Sequence, residues 1–238
     1  MEQLISNGYR AISLDARGHG DSEWAPDGDY SFETLALDLE CILESLPSRP
    51  VLVGASMGGG TALTLVGTRT APLASALVLV DIVPRMDPRG IAKIENFMNA
   101  NSDGFASLEE VADAVSAYNP HRTRPSDLSG LMKNLRHRQN GRLYWHWDPR
   151  VITGPDDGVQ RRSLEQLELA AANVHIPTLL MRGLKSDVVT DDGVADAKRR
   201  IIDLEVFDVS LAGHMIAGDK NDAFNLGLLD FLKRRVPT

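Results

Sequence analysis

Short, nearly continuous apolar runs alternate along this chain with stretches of helical periodicity. Three β-branched runs come early: Arg10 to Asp15 (RAISLD), Val51 to Gly54 (VLVG) and Ala76 to Ile82 (ALVLVDI). Each is followed by turn or helix-start residues, the pattern of strands buried on both faces in a parallel sheet. Between the first two, Phe32 to Leu46 places Leu35, Leu39, Ile42, Leu43 and Leu46 on one helical face, and Pro47 ends it. A second helix is expected over Thr61 to Arg69. Near the C-terminus, Thr178 to Arg182 (TLLMR) and Leu204 to Val209 (LEVFDV) read as strands. Helices are expected near Gly193 to Arg200 and over Asp222 to Arg235. This alternation predicts an α/β fold with a mostly parallel, doubly wound sheet.

From Pro84 to about Val174 the rhythm breaks. The segment reads as several helices without strong strands, with capping boxes at Ser107-x-x-Glu110 and Ser163-x-x-Gln166. The expected organisation is a core of residues 1–83 and 175–238 with a helical cap inserted at 84–174.

Composition narrows the function classes. With 238 residues, 43% of them hydrophobic, the chain can bury a sizeable core. Its net charge of −8 argues against general nucleic-acid binding. Positive charge nevertheless gathers between 121 and 150, where Arg122, Arg124, Lys133, Arg136, Arg138, Arg142 and Arg150 face only Asp127 and Asp148. A solvated or internally paired face is the first explanation of that cluster. The longest apolar stretch is about half of a roughly 20-residue span, so no membrane helix is expected. The residues from Met1 to Gly8 lack a basic flank and a long apolar centre, so the expected compartment is the cytoplasm. Cys41 is the single cysteine, which excludes an internal disulfide and a thiolate-rich zinc site.

The chemistry concentrates at Gly54-Ala55-Ser56-Met57-Gly58-Gly59, between an expected strand and an expected helix. A serine projected from so tight a turn crowds its backbone, and glycines at Gly54 and Gly58 would relieve that crowding. Ser56 is the expected nucleophile, and the Met57 N–H at the helix start is the expected oxyanion donor. A serine hydroxyl needs a base oriented by a carboxylate. Of six histidines, His214 in Leu211-Ala212-Gly213-His214-Met215 follows the last strand and is preferred. His19 follows the first strand and is a candidate to line the site. His121, His137, His146 and His175 are expected to be structural. Asp187, just past the TLLMR strand, is the preferred acid, with Asp81 a rival at the end of another strand and Asp191 and Asp192 behind both. Trp145 and Trp147 in Tyr144-Trp145-His146-Trp147-Asp148 are candidate substrate-binding rings, although cap packing is the alternative. Phe97, Met98, Leu128, Leu131, Met132 and Leu135 read as packing.

Four separated motifs together resemble the α/β-hydrolase superfamily: Asp15-x-Arg17-Gly18-His19-Gly20-Asp21-Ser22, the Ser56 elbow, Arg182-Gly183-x-x-Ser186-Asp187 and Gly213-His214-Met215. The order Ser56, Asp187, His214 is similar to that family's nucleophile, acid, histidine order. The Ser-Met-Gly-Gly elbow and the cap resemble the cap-bearing esterase, lactonase, C–C hydrolase and cofactor-free haloperoxidase (perhydrolase) group. Ser56 argues against the epoxide hydrolases and haloalkane dehalogenases, which use an aspartate there. The resemblance implies a serine hydrolase of a small, apolar, ester-like substrate, with no cofactor or metal, no nucleic-acid or membrane partner, and compatibility with a homo-oligomer. It also implies further strands, and a His-Gly oxyanion loop, ahead of Arg10. By that comparison the N-terminal strands are missing from this sequence, as in a truncated chain whose Met1 would belong to a helix. The competing expectations are perhydrolysis on the same triad, and a non-catalytic binding or assembly protein or inactive fragment.

Overall fold

A computed structural model describes residues 1–120, 124–153, 157–216 and 221–237, with 157–163 as backbone alone. His121 and Arg122 fall outside the described residues. The chain divides into two compact units: Met1–Leu14, Ser31–Gly90 and Asp157–Thr238 form the first, and Asp15–Tyr30 with Ile91–Asp156 the second. This division departs from the expected 84–174 insertion.

The first unit is built on a four-stranded parallel sheet of β1 (Val51–Ala55), β2 (Ala76–Val80), β5 (Thr178–Gly183) and β6 (Leu204–Val209), ordered β1-β2-β5-β6. The expected α/β architecture, a parallel sheet with helices between its strands, is thereby present. Every residue of β2 is buried, as a continuous Ala-Leu-Val-Leu-Val run requires of a strand paired on both sides and covered on both faces. Registers Ala55↔Val80, Val80↔Met181 and Gly183↔Val209 bring the C-terminal ends of all four strands to one edge of the sheet. Helices occur where periodicity placed them: α2 (Phe32–Glu44), α3 (Met57–Thr68), α8 (Asp191–Arg200) and α9 (Asn221–Arg235), besides the short α1 (Glu2–Ser6). On α2 the buried stripe is Leu35, Ala36 and Leu43, while Ile42 is exposed.

Helix α7 (Asp157–Ala171) packs on α3. A methyl group added at Gly67 would come within 2.1 Å of the Ala170 carbonyl oxygen, so the two helix backbones touch there. That contact is the physical reason α7 groups with the sheet. Ser163 lies inside this helix and does not cap its start.

Two expectations are corrected. Residues 10–15 form no strand: nothing among the described residues pairs with them, and Ile12 and Leu14 are 50% and 49% exposed. An apolar run becomes a strand only when a neighbour completes its ladder. On β1, at one end of the sheet, Val53 is likewise 45% exposed.

The second unit is not purely helical. Besides α5 (Leu108–Tyr118), it contains an antiparallel hairpin of β3 (Leu135–His137) and β4 (Leu143–Trp145). Leu135 and Leu143 from its inner face bury against Phe105 and Val111, so the helical leucine spacing, which forms a short 3-10 helix over Ser129–Asn134, ends where β3 begins. The capping box at α5 forms: Ser107 Oγ accepts the Glu110 N–H at 3.3 Å, and Glu110 reaches back to the Ala106 N–H at 2.5 Å. Among the described residues no helix is long and apolar enough to cross a membrane.

Candidate active site

Ser56 sits between the end of β1 and the first residue of α3 with φ 47° and ψ −118°. This conformation is rare for a residue with a side chain and is sustained only where the surroundings fix it. They do so here by close backbone approach. A Cβ at Gly54 would lie 2.3 Å from the Gly58 carbonyl oxygen, and one at Gly59 would meet Ile82 at 2.5 Å and the Gly54 carbonyl oxygen at 2.7 Å. The steric glycines of the elbow are therefore Gly54 and Gly59. Gly58, expected in that role, would carry a Cβ into open space, because its side-chain direction points outward from the first turn of α3. The Ser56 N–H donates to the Val80 carbonyl at 3.1 Å, anchoring the turn to the next strand. Met57 opens α3, so its N–H is one of the donors without an intrahelical partner, at the positive end of the helix dipole.

The carboxyl group that hydrogen-bonds His214 Nδ1 is that of Asp81, the rival of the preferred Asp187. Asp81 follows β2 directly, is fully buried and has φ 49°. Its Oδ1 accepts the Gly183 N–H at 2.9 Å, and its Oδ2 accepts the Ser186 hydroxyl at 2.5 Å and His214 Nδ1 at 2.8 Å. A carboxyl oxygen in this arrangement accepts, so the imidazole proton lies on Nδ1 and leaves Nε2 as an acceptor. Neither chain order nor strand order shows this pairing: the loop after β5 is the one directly beside the histidine loop, and Asp81 reaches the imidazole from the end of β2, one strand further in. Asp187 is half-buried and follows Ser186, whose hydroxyl joins this cluster. Asp191 pairs instead with Arg182 at 2.5 Å, and Asp192 sits in the first turn of α8.

Backbone contacts deliver His214 to this position. Lys185 N–H donates to the Ala212 carbonyl at 2.9 Å and Leu184 N–H to the Val209 carbonyl at 3.1 Å. A Cβ at Gly183 would come within 2.3 Å of the Gly213 carbonyl oxygen, so only glycine lets the histidine loop lie so close on the end of β5. Ser186 escaped sequence reasoning. Its hydroxyl donates to Asp81 and accepts the N–H groups of Val188 and Val189, both at 3.2 Å. The signal was its place in the loop after β5, where only the neighbouring acid was weighed.

The second unit gathers the other sequence candidates among themselves. Trp145 and Trp147 stack at 4.9 Å with 9° between their planes, and His19 lies 6.5 Å from the Trp147 ring and 6.2 Å from that of His146. His146 Nδ1 accepts the Gly20 N–H at 2.6 Å. Burial, then the nearby His19 and Arg136, lower its pKa, so it is neutral at pH 7. Asp148 anchors the 15–30 segment: it accepts the Tyr30 hydroxyl at 2.6 Å and Arg150 at 2.7 Å, and its N–H donates to the Gly18 carbonyl at 2.7 Å. Burial raises the Asp148 pKa, but the Arg150 and Tyr30 hydrogen bonds outweigh it and hold it below the ordinary value. Burial and the same Asp148 contact raise that of Tyr30. Among the described residues no three His, Cys, Asp or Glu side chains gather to ligate a metal ion.

Comparison with known proteins agrees with this fold. A family model described as the alpha/beta hydrolase fold matches residues 1–220. The esterase Rv0045c of Mycobacterium tuberculosis is 31% identical over 91% of this chain and 72% of its own length. Its crystal structure superposes with a TM-score of 0.76, at 29% identity, over 96% of this chain and 79% of that one. The non-heme chloroperoxidase CPO-A1 of Kitasatospora aureofaciens is 31% identical over 98% of this chain and 86% of its own length. E-2-(acetamidomethylene)succinate hydrolase shares the fold with a TM-score of 0.79 at 23% identity, over 92% of this chain and 80% of that one. The chain therefore belongs to the alpha/beta-hydrolase fold family and is a hydrolase.

Proposed function

We propose that this hydrolase cleaves an ester-like carbonyl through a covalent acyl-enzyme, with Ser56 as nucleophile, His214 as base and Asp81 as the acid that orients it. The observation that carries the reading is the His214–Asp81 hydrogen bond at the strand edge where the strained Ser56 turn also ends. His214 Nε2 takes the Ser56 proton as Oγ attacks the carbonyl carbon. The Met57 N–H and the α3 N-terminus stabilise the oxyanion. His214 then returns the proton to the departing alcohol. Water repeats the sequence on the acyl group, giving the acid and free Ser56. Asp81 holds the imidazole in the tautomer this needs, and Ser186 fixes Asp81. The esterase relative supports this reaction class, and the small, apolar acyl group expected from the sequence remains part of the proposal.

The similarity to a non-heme chloroperoxidase favours a second reading of the same machinery, in which hydrogen peroxide replaces water as acyl acceptor and a peracid is released. Labelling with a fluorophosphonate probe tests the shared step. The folded protein should be modified at Ser56, with labelling lost in Ser56→Ala and greatly slowed in His214→Ala. Folded protein that takes up no label would instead support a non-catalytic binding or assembly role. Peracid formation from ester and peroxide separates the two acceptors.

A further inference from the structure

We propose that the second unit carries a binding site for a ring-bearing carboxylate, in a cavity of about 380 Å³ lined by Gly20, Trp24, Arg136, Arg138, Trp145 and His146. The proposal goes beyond the Ser56 chemistry and does not depend on it. Two guanidinium groups, an imidazole and two indoles line this space, and no acidic side chain does. Its volume is in the range that holds small molecules, about 300–1,000 Å³.

The hairpin explains how the cations come together. Arg136 and Arg138 are two residues apart along one strand direction, which continues past β3 through the Arg138 N–H bond to the Arg142 carbonyl at 3.1 Å, so both side chains leave the same face. Arg136 is partly neutralised, donating to Asp21 at 2.7 Å and to the Leu135 carbonyl at 3.0 Å. Arg138 is different. Its guanidinium lies 4.1 Å over the Tyr144 ring, and among the described residues no carboxylate pairs with it. The ring is itself held, because its hydroxyl accepts from Asn140 at 2.9 Å. A guanidinium stacked on an aromatic face keeps its N–H edge available for a planar two-oxygen acceptor.

His146 contributes a further donor. Its Nδ1 is occupied as acceptor of the Gly20 N–H, which leaves the proton on Nε2. The polar lining thus offers donors and positive charge, which suits an anionic acceptor, while the indoles of Trp24 and Trp145 in the lining suit an attached ring. The positive charge is local to the hairpin segment, where residues 121–150 carry seven positive and two negative side chains.

The test titrates the whole chain with benzoate, benzamide and acetate, followed by tryptophan fluorescence and calorimetry. Benzoate should bind saturably, with benzamide and acetate each about tenfold weaker or more, the loss expected when one charge-assisted hydrogen bond or the ring contact is removed. Arg138→Gln should weaken benzoate about tenfold and leave benzamide unchanged, Arg138→Lys should lose less, and circular dichroism checks that both fold. Added salt should weaken benzoate and acetate and leave benzamide unchanged. Equal affinity for benzoate and benzamide, unaltered benzoate binding in folded Arg138→Gln, or no binding by benzoate would each overturn the proposal. Two sources of the carboxylate are told apart by ester turnover. Competitive inhibition by benzoate marks an acid group on the substrate, and binding without inhibition marks a separate effector. Titration of Ser56→Ala reads this site even if the Ser56 mechanism fails.

Discussion

Replacing Asp81 by Asn tests which carboxyl group works with His214. In the folded chain Asp81 Oδ1 accepts Gly183 N–H, while Oδ2 accepts both Ser186 Oγ and His214 Nδ1. An asparagine that keeps its oxygen on Gly183 turns its NH₂ toward Ser186 and His214. Ser186 can rotate and accept only by releasing the Val188 or Val189 N–H that it already accepts. His214 can accept only by moving its proton to Nε2, and an imidazole in that tautomer cannot take the Ser56 proton. The expected loss is that of a wrong-tautomer triad, about 10³- to 10⁴-fold in kcat/KM, or about 4–5.5 kcal/mol of transition-state stabilisation. Any donor left unsatisfied costs about 1–3 kcal/mol, within the margin of a domain stable by about 5–15 kcal/mol, so Asp81→Asn should still fold. Asp187→Asn is the control, with turnover expected within about threefold of the parent, since its loss is that of a half-exposed polar contact. Steady-state hydrolysis of a p-nitrophenyl ester, with thermal melts on the same samples, measures both. Asp81→Asn retaining activity within tenfold of the parent, or Asp187→Asn falling as far as Asp81→Asn, would refute the assignment.

Three further outcomes rest on backbone geometry and one buried ion pair. Gly54→Ala should destabilise by about 3 kcal/mol or more, because its methyl meets backbone at 2.3 Å, whereas Gly58→Ala, with open space inside α3, should gain about 0.5–1 kcal/mol; urea melts measure both. Ser56→Gly should abolish probe labelling yet raise thermal stability by about 1 kcal/mol, since φ 47° costs glycine nothing; a lower melting temperature would show that the turn is not strained. Asp148 titrates below its ordinary value when folded, so its contribution is complete above the unfolded value of about 4 and fades as pH falls through the folded one. Asp148→Asn should therefore be less stable than the parent at pH 7, with the gap narrowing in melts below about pH 4.

Much of the fold can be read locally. Ala76–Val80 is apolar at every position and is buried at every position, and Ser31, Ser107 and Thr190 cap the helices whose periodicity follows them. The elbow was legible because a Gly-x-Ser-x-Gly turn between a strand and a helix has one steric solution, though the second crowded glycine is Gly59 and not the expected Gly58. The hairpin was not legible, because Leu128, Leu131, Met132 and Leu135 fit a helical spacing until Leu143 pairs across from residue 137. Arg10 to Asp15 has the composition of a strand and none of its structure.

The sequence by itself determined the α/β alternation and marked Ser56 and His214 as candidates, since hydrophobic period, cap chemistry and glycine sterics act over a few residues. Tertiary structure alone decided that Asp81 hydrogen-bonds that histidine, that α7 packs on α3, and that Arg136 and Arg138 share a cavity with two indoles. Those outcomes depend on which strand ends lie side by side and which backbones touch. Such pairings join residues far apart in the chain, and no local pattern of side chains encodes them.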